Sequence, residues 1–567
     1  MRKMIFTAAI IGPLIANGQN PLPVPDTLAG TSFNLTMHKD SVQFLPGQKT
    51  KTFAFNSASY LGPTLIMQAG AAISLVVNNQ IGDTTSVHWH GLHVAPQNDG
   101  GPHTPIMPGA SWNPQFTVMN HAATYWYHPH FHGKTALHAM KGAAGMIIIR
   151  DATEAALALP RKYGVDDIPV IVQSQQLNTN NQIDERGMVD SIVLVNGVVD
   201  PYKALPAQVV RLRLLNAAGE RNFNFGFTGN MNFSVIGNDA GLLPAPVPAT
   251  RIMLSPGERA EILLDLTGMA GQSIYLMSYA SEIPMGTQGG PTMPMPPGSP
   301  PMNSSLNGID FNILKLNVTA ATTGGITTIP ATLVPQTPLT AGQAVRTRNI
   351  NFTADSMMVM DGPFYFNDSS FDMMRIDYRI PLGSIEIWQL TNQTMVAHPF
   401  HIHDVNFWVL DIDGNAPPAK MRGRKDVVLV QPNQTVRFIT KFEDFADTTT
   451  PYMYHCHVLM HEDDGMMGQF IVTPANTGVV NVPGNTAQVV VYPNPASGMV
   501  NVHIPGFRAG DKAGIEIIDN LGRSVYRSDA TAQTTGIPTG GFADGLYLIS
   551  VTESNIHYIQ KLSIRKQ

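Results

Sequence analysis

The residues whose types and spacing can do chemistry are densest in YHCHVLMHEDDGMM at 454–467, which holds the only cysteine of the chain. Cys456 lies between His455 and His457, with His461 five residues on and Met466 ten. Two imidazoles, one thiolate and a weak axial thioether are the ligand set of a blue-copper electron-transfer site. Cys456, His461 and Met466 supply three of the four, and HPFHIH at 398–403 offers His398 as the fourth. On a strand, Cys456 would point to one face while His455 and His457 point to the other. A second metal centre could then sit one residue away through the backbone, an arrangement suited to relaying electrons.

Four His-x-His pairs occur: His88 with His90 in HWHG, His128 with His130 in HPHFHG, His401 with His403 in HPFHIH, and His455 with His457. Residues at i and i+2 share a strand face, so each pair can grip neighbouring metals. Eight imidazoles suit a three-metal copper cluster, two histidines for one ion and three for each of the others. A single histidine is usually an ordinary core or surface residue, but accident does not account for four such pairs. His93, His103, His121, His132 and His138 stand outside the pairs. Of these, His132 is expected to lie behind the ligands and the rest to be ordinary.

Positioning these residues calls for strands. At 567 residues the chain should hold roughly four domains. Its 50 glycines and 43 prolines, with only 13% charged residues, suit a turn-rich all-β protein. Segments recur in threes, as expected of a duplicated β unit. ISLVVNN (73–79), VRLRLLN (210–216) and IEIWQLTN (385–392) are alternating strands ending at Asn, while MPGASWNPQFTV (107–118), SPGERAEILLDL (255–266) and QPNQTVRFITKF (431–442) are turns feeding strands. A third pattern, VLVNG (193–197) and FYFND (364–368), marks the later two units. The reading is three β-sandwiches at 19–152, 153–330 and 331–476, then a linker at 477–487 and a small C-terminal β-sandwich at 488–567. Ten histidines lie from His38 to His138, none from 139 to 397, and six from His398 to His461. The metals therefore belong to the first and third units, and the middle one is read as a spacer or wall. A Met/Pro/Gly-rich insertion at 284–302 reads as a loop or as a soft-ligand surface for Cu(I), with Met357, Met358, Met360, Met373 and Met374 as extensions.

Residues 1–18 have the basic start, apolar run and small residues of a secretory signal peptide. The run is too short for the roughly 20 residues of a membrane span, and no other stretch could cross a bilayer. A net charge of -6 without a basic cluster argues against nucleic acid and anionic membranes as partners. A lone cysteine excludes an intramolecular disulfide framework.

Over about residues 45–475 these motifs resemble the multicopper oxidases, the family of laccases, cuprous oxidases and bilirubin oxidases. The resemblance implies cupredoxin-like Greek-key sandwiches and four copper ions. His398, Cys456, His461 and Met466 match the type 1 site, and His88 and His401 the type 2 copper. His90, His128 and His457 match one type 3 copper, and His130, His403 and His455 the other. It implies one-electron oxidation of a small reductant coupled to reduction of O₂ to water, with Met466 giving a lower potential than the Leu or Phe of high-potential laccases. Asp99, in QNDGG, matches the family's acid near type 2 copper, and Glu462 a proton donor to the type 3 pair; each is also readable as an ordinary turn or surface carboxylate.

HEDDGMMG and the Met-rich insertion look most like the bacterial copper-efflux oxidases. Those enzymes carry an acid and methionines just before HPFHIH, whereas this chain has Thr394, Met395, Val396 and Ala397. Cu(I) and phenols or aromatic amines therefore both stand as reductants. A copper-binding or copper-resistance protein without turnover is the alternative reading. The C-terminal unit resembles the type IX secretion sorting domain of Bacteroidetes through YPNP (492–495), GLYLISV and KLSIRK. That implies recognition by the type IX machinery and export through the periplasm to the medium or cell surface. A monomer is expected.

Overall fold

The computed structural model describes residues 19–184, 189–292, 304–356, 359–360, 362–474, 489–508, 510–553 and 556–566. The chain divides into two units, Met1–Pro474 and Ala475–Gln567. Residues 1–18, 293–303, 357 and 358, and with them the signal segment and much of the Met-rich stretch, lie outside the described residues.

In the first unit the recurrent segments take equivalent places in three successive pairs of sheets. Ala72–Gln80, Val209–Asn216 and Ile385–Asn392 run parallel to Ser32–Val42, Asp167–Gln175 and Arg346–Ala354. On their other edges lie, antiparallel, the strands fed by the recurrent turn: Ser111–Trp112 and Gln115–Thr117, Arg259–Asp265, and Thr435–Lys441. Each turn needs a left-handed residue and has one of the types that tolerate it, at Gly109, Gly257 and Asn433.

The asparagine ending each first segment closes a corner. Asn79, Asn216 and Asn392 accept at Oδ1 the amide two residues on, and donate Nδ2 both to a nearby carbonyl and to one from a distant segment. The third pattern, which the sequence marks only in the later two units, is present in all three. Asn56 at φ 57 exchanges two hydrogen bonds with Thr36, as Asn196 does with Ile171 and Asn367 with Asn351. The first copy reads FAFNSAS, with no Gly or Asp after the Asn to flag its turn.

Apolar alternation builds the cores. Leu35, Val77, Trp89 and Ile147 lie at the centre of the first sandwich, Leu212, Phe225, Ile262 and Leu314 of the second, and Trp388, Phe400, Phe438 and Phe470 of the third. Ala72–Gln80 alternates between buried and more open positions, whereas every residue of Val209–Asn216 is buried. The polar face of VRLRLLN does not meet water. Arg211 pairs with Glu154 and Glu261, and Arg213 with Asp167, Glu261 and the Thr124 hydroxyl. This network welds Ala123–His128 and Gly145–Arg150 of the first sandwich to the second. Asn20–Pro21 also pairs with Pro201–Pro206 of the second sandwich.

The C-terminal unit is a small β-sandwich, a three-stranded sheet facing a four-stranded one around Val500, Ile515, Ile537 and Ile549. Among the described residues no helix is long and apolar enough to cross a membrane.

Candidate metal centre

Adjacent strands carry the histidine pairs. In the first sandwich His88–His90 lies antiparallel to Ala123–His128, with His128 opposite His88. In the third, His398–Ile402 lies antiparallel to Tyr452–Cys456, with Phe400 opposite Cys456 and His401 opposite His455. Cys456 therefore turns into the core of the third sandwich, while His455 and His457 join His401 on the side toward the first.

Around Cys456, the Nδ1 atoms of His398 and His461 lie 3.5 and 3.6 Å from Sγ. The Val458 amide points at the same sulfur from 3.5 Å, and the Phe364 ring packs edgewise on both imidazoles. Met466 is fully buried in this core, its carbonyl accepting the Cys456 amide at 3.0 Å. Burial pushes the Cys456 thiol up and holds His461 down at about 3. The imidazoles thus present lone pairs, and a cation beside Sγ would be needed to hold Cys456 as a thiolate.

On the other side of the strand, eight buried imidazoles converge. The Nε2 atoms of His130, His403 and His455 form a triangle of 3.1, 3.1 and 3.3 Å, and His90 Nδ1 lies 3.3 Å from His128 Nε2. His457 closes the second group, and His88 and His401 stand beside His90. Burial, and then their mutual repulsion, hold His90, His128, His130, His401, His403 and His457 well below the ordinary histidine range. His88 Nε2, His401 Nε2 and both His457 nitrogens are buried without a hydrogen-bond partner. Such orphaned ring nitrogens are costly unless something fills the space between them. Metal–imidazole bonds of about 2.0 Å in a tetrahedral site separate the nitrogens by roughly 3.3 Å, so the spacing and the neutral state both fit metal ligation.

Outward-facing nitrogens are held by the protein. Asp99 takes His403 Nδ1 on its carboxylate at 2.7 Å and His88 Nδ1 on its carbonyl at 2.8 Å. Glu462 is a fully buried carboxylate rather than a surface one, 3.2 and 3.1 Å from Nδ1 of His130 and His455. Neither contact is aligned as a hydrogen bond.

Spacing gave no sign of two further participants. Thr394, which stands in the stretch before HPFHIH, has its hydroxyl 2.9 Å from His398 Nε2. Asp426 accepts His401 Nδ1 on its carbonyl at 2.8 Å and lies 3.2 Å from His90 Nε2. The only signal for Asp426 is its place just before the strand Val427–Val430 that pairs with His398–Ile402.

The remaining histidines divide. His93 is not ordinary: burial alone would lower it, but Asp404 and Asp444 hold it up at about 9. His103 faces the Gln469 side chain at 2.7 Å, and His138 faces Thr85. His132 packs on Phe371. At the base of the Met-rich insertion, the Gly286 carbonyl and the Gln288 side chain bond to the backbone of Ala397, next to His398. Met285, Met373 and Met374 are exposed and Met360 is half-buried.

Residues 36–154, 168–293 and 336–476 match multicopper oxidase family models, and residues 490–565 match a secretion system C-terminal sorting domain. The multicopper oxidase mco of Staphylococcus haemolyticus is 32% identical over 451 residues, 78% of this chain and 88% of that protein. The cell division protein FtsP of Escherichia coli is 32% identical over 471 residues, 81% of this chain and 94% of that protein. Among solved structures, a laccase-like multicopper oxidase CueO from Ochrobactrum sp., with activity towards lignin model compounds and lignosulfonate, superposes with a TM-score of 0.71. It is 32% identical and covers 80% of this chain and 100% of its own. The three sandwiches are cupredoxin-like, and the chain belongs to the multicopper oxidase family, with a secretion sorting domain at its C-terminus.

Proposed function

We propose that the chain is a copper oxidase carrying four ions. His398, Cys456, His461 and Met466 would hold a type 1 copper, and His88 and His401 a type 2 copper. His90, His128 and His457 would hold one type 3 copper, and His130, His403 and His455 the other. Bound copper would supply one-electron oxidation of a small reductant and four-electron reduction of O₂ to water. The observation that carries this reading is the Nε2 triangle of His130, His403 and His455, whose spacing is that of nitrogens sharing one metal ion.

The protein's own contribution is positioning, insulation and proton supply. The Cys456 backbone joins its own sulfur to the imidazoles of His455 and His457, giving electrons a short covalent path. Burial of every candidate ligand side chain excludes bulk water from the cluster. Water formation takes up protons, and the carboxyl groups of Asp99, 2.7 Å from His403, and Glu462, 3.2 and 3.1 Å from His130 and His455, are the acids placed to relay them. Phenols, aromatic amines and Cu(I) are the reductant classes. The bonding of Gly286 and Gln288 to Ala397 roots the Met-rich segment beside His398, which favours Cu(I), while Thr394 in place of an acid weighs toward organic reductants. The signal segment and the sorting domain fit export through the periplasm by the type IX route, to the medium or the cell surface.

The test is oxygen uptake by copper-loaded protein, with Cu(I) or a dimethoxyphenol as reductant, beside Cys456→Ser. Faster uptake with Cu(I) makes it a cuprous oxidase, and phenol oxidation without added copper makes it a laccase. Copper binding without uptake from either would replace the oxidase reading by copper sequestration.

A further inference from the structure

We infer that the Asp426 carboxylate, clamped by Arg259 of the second sandwich, is the positioning group that orients His90, and that the histidine cluster retains its metal only while this clamp is intact. The inference rests on the metal-holding role proposed above. His90 is turned the opposite way from its neighbours. His88, His128, His401 and His403 give Nδ1 to protein oxygens at 2.7–2.8 Å, which leaves Nε2 for the cluster. His90 instead points Nδ1 inward, 3.3 Å from His128 Nε2, and Nε2 outward. Its inward lone pair requires the proton on Nε2, where the acceptor is Asp426 Oδ1 at 3.2 Å. Three of those four neighbours rely on carbonyls that the backbone fixes, whereas His90 relies on a side chain that must itself be held.

Arg259 holds it. Nη1 and Nη2 grip the two Asp426 oxygens at 2.6 and 2.7 Å, a bidentate fork that a lysine cannot reproduce. The other three guanidinium hydrogens go to the carbonyls of Thr124, Gly257 and Asp239, so all five donors are used and the fork cannot swing. The Asp426 amide is fixed in turn by Asp239, whose charge Lys425 balances at 2.9 Å. Two glycines make the approach possible. A Cβ on Gly91, at φ +84, would lie 2.3 Å from Asp426 Oδ2, and one on Gly257, at φ +85, would lie 2.9 Å from the His457 ring. The clamp thus joins all three sandwiches at one residue: the Asp426 carboxylate faces His90 of the first and Arg259 of the second, while its backbone carbonyl takes His401 of the third.

The experiment uses the full copper-loaded chain and three variants, Asp426→Ala, Asp426→Asn and Arg259→Lys. Copper content is measured after challenge with a chelator, alongside the visible absorption of copper on Cys456 and the paramagnetic resonance spectrum. Asp426→Ala should lose cluster copper, its affinity falling roughly 10- to 100-fold, with the Cys456 absorption retained. Arg259→Lys should show the same loss to a smaller degree. Asp426→Asn, which keeps an oxygen facing His90, should retain more copper than the alanine variant. Wild-type copper content and spectra in both Asp426→Ala and Arg259→Lys would overturn the inference. So would parallel loss of the Cys456 absorption and the cluster copper in every variant, which is the mark of a merely structural role. A wild-type chain that binds no copper would instead sink the proposed function.

Discussion

Glu462→Gln should slow oxygen reduction while leaving metal binding and electron entry intact. Glu462 lies on the short helix Leu459–Asp463, which is locked to the first sandwich because the Asp463 carboxylate accepts the amides of Thr135 and Ala136 at 3.0 and 2.9 Å. Its side chain is fully buried, within 3.2 Å of imidazoles from two sandwiches, and has no aligned hydrogen bond. Asp99, by contrast, is tied to His403 at 2.7 Å. Glutamine keeps the size and polarity of Glu462 and removes only the transferable proton. A positioned acid contributes roughly 10²- to 10⁴-fold, about 3–5 kcal/mol of barrier, and that is the expected loss in steady-state oxygen uptake. Anaerobic reduction by the same substrate, followed through the visible absorption of copper on Cys456, should proceed at the wild-type rate, because Glu462 faces the cluster. Wild-type uptake in the variant, or equal slowing of the anaerobic half-reaction, would refute the proton-donor argument.

Other perturbations separate structure from chemistry. Gly257→Ala places a methyl at positive φ against the His457 ring, a strain on the order of 1–3 kcal/mol; cluster copper content should fall with it. Arg213→Met leaves Asp167 and Glu261 each without one partner in a dry interior, which costs about 3–5 kcal/mol, read as a lowered urea midpoint. His93 stands at about 9 against an ordinary 6.5, so its folded-state proton stabilises the chain on the order of 3 kcal/mol. That contribution is fully present below pH 6.5 and is lost as pH rises through about 9. The urea-midpoint gap between wild type and His93→Gln should therefore be widest in acid and shrink across that window. Met466→Leu should raise the type 1 potential in a redox titration, since the axial ligand tunes it.

The histidine clusters and the grouping around Cys456 were legible because two periods coincide. His-x-His places two imidazoles on one strand face, and the same alternation sends Cys456 to the opposite face from His455 and His457, as the separate groupings around Cys456 and around His130, His403 and His455 bear out. The sandwiches were legible through repeats whose cause is now visible: the Asn79, Asn216 and Asn392 corners, and the left-handed turn at Gly109, Gly257 and Asn433. Alternation misleads where a second sandwich covers the polar face. Arg211 and Arg213 look solvent-facing in VRLRLLN, yet both are buried in a charge network. Glu462 and His93 gave equally little away, because their burial and their partners depend on how the first sandwich meets the third.

The middle sandwich is where sequence reading fell furthest short, for a physical reason. A stretch from 139 to 397 without histidines looks like a spacer, because metal ligation is the chemistry that histidine reports. Holding a ligand ring in one tautomer is a different task, and it needs a fixed charge rather than a metal donor. Arg259 performs it across 167 residues of sequence from Asp426, and Asp426 in turn lies 336 residues from His90. No spacing rule spans such separations. The turn that positions Arg259 is the second copy of a turn present in every unit, and at the equivalent place the third unit has Thr435 and the first has Ser111. Among the described residues the middle repeat joins none of the candidate metal groups, yet it places a charge where its sister repeats carry neutral residues.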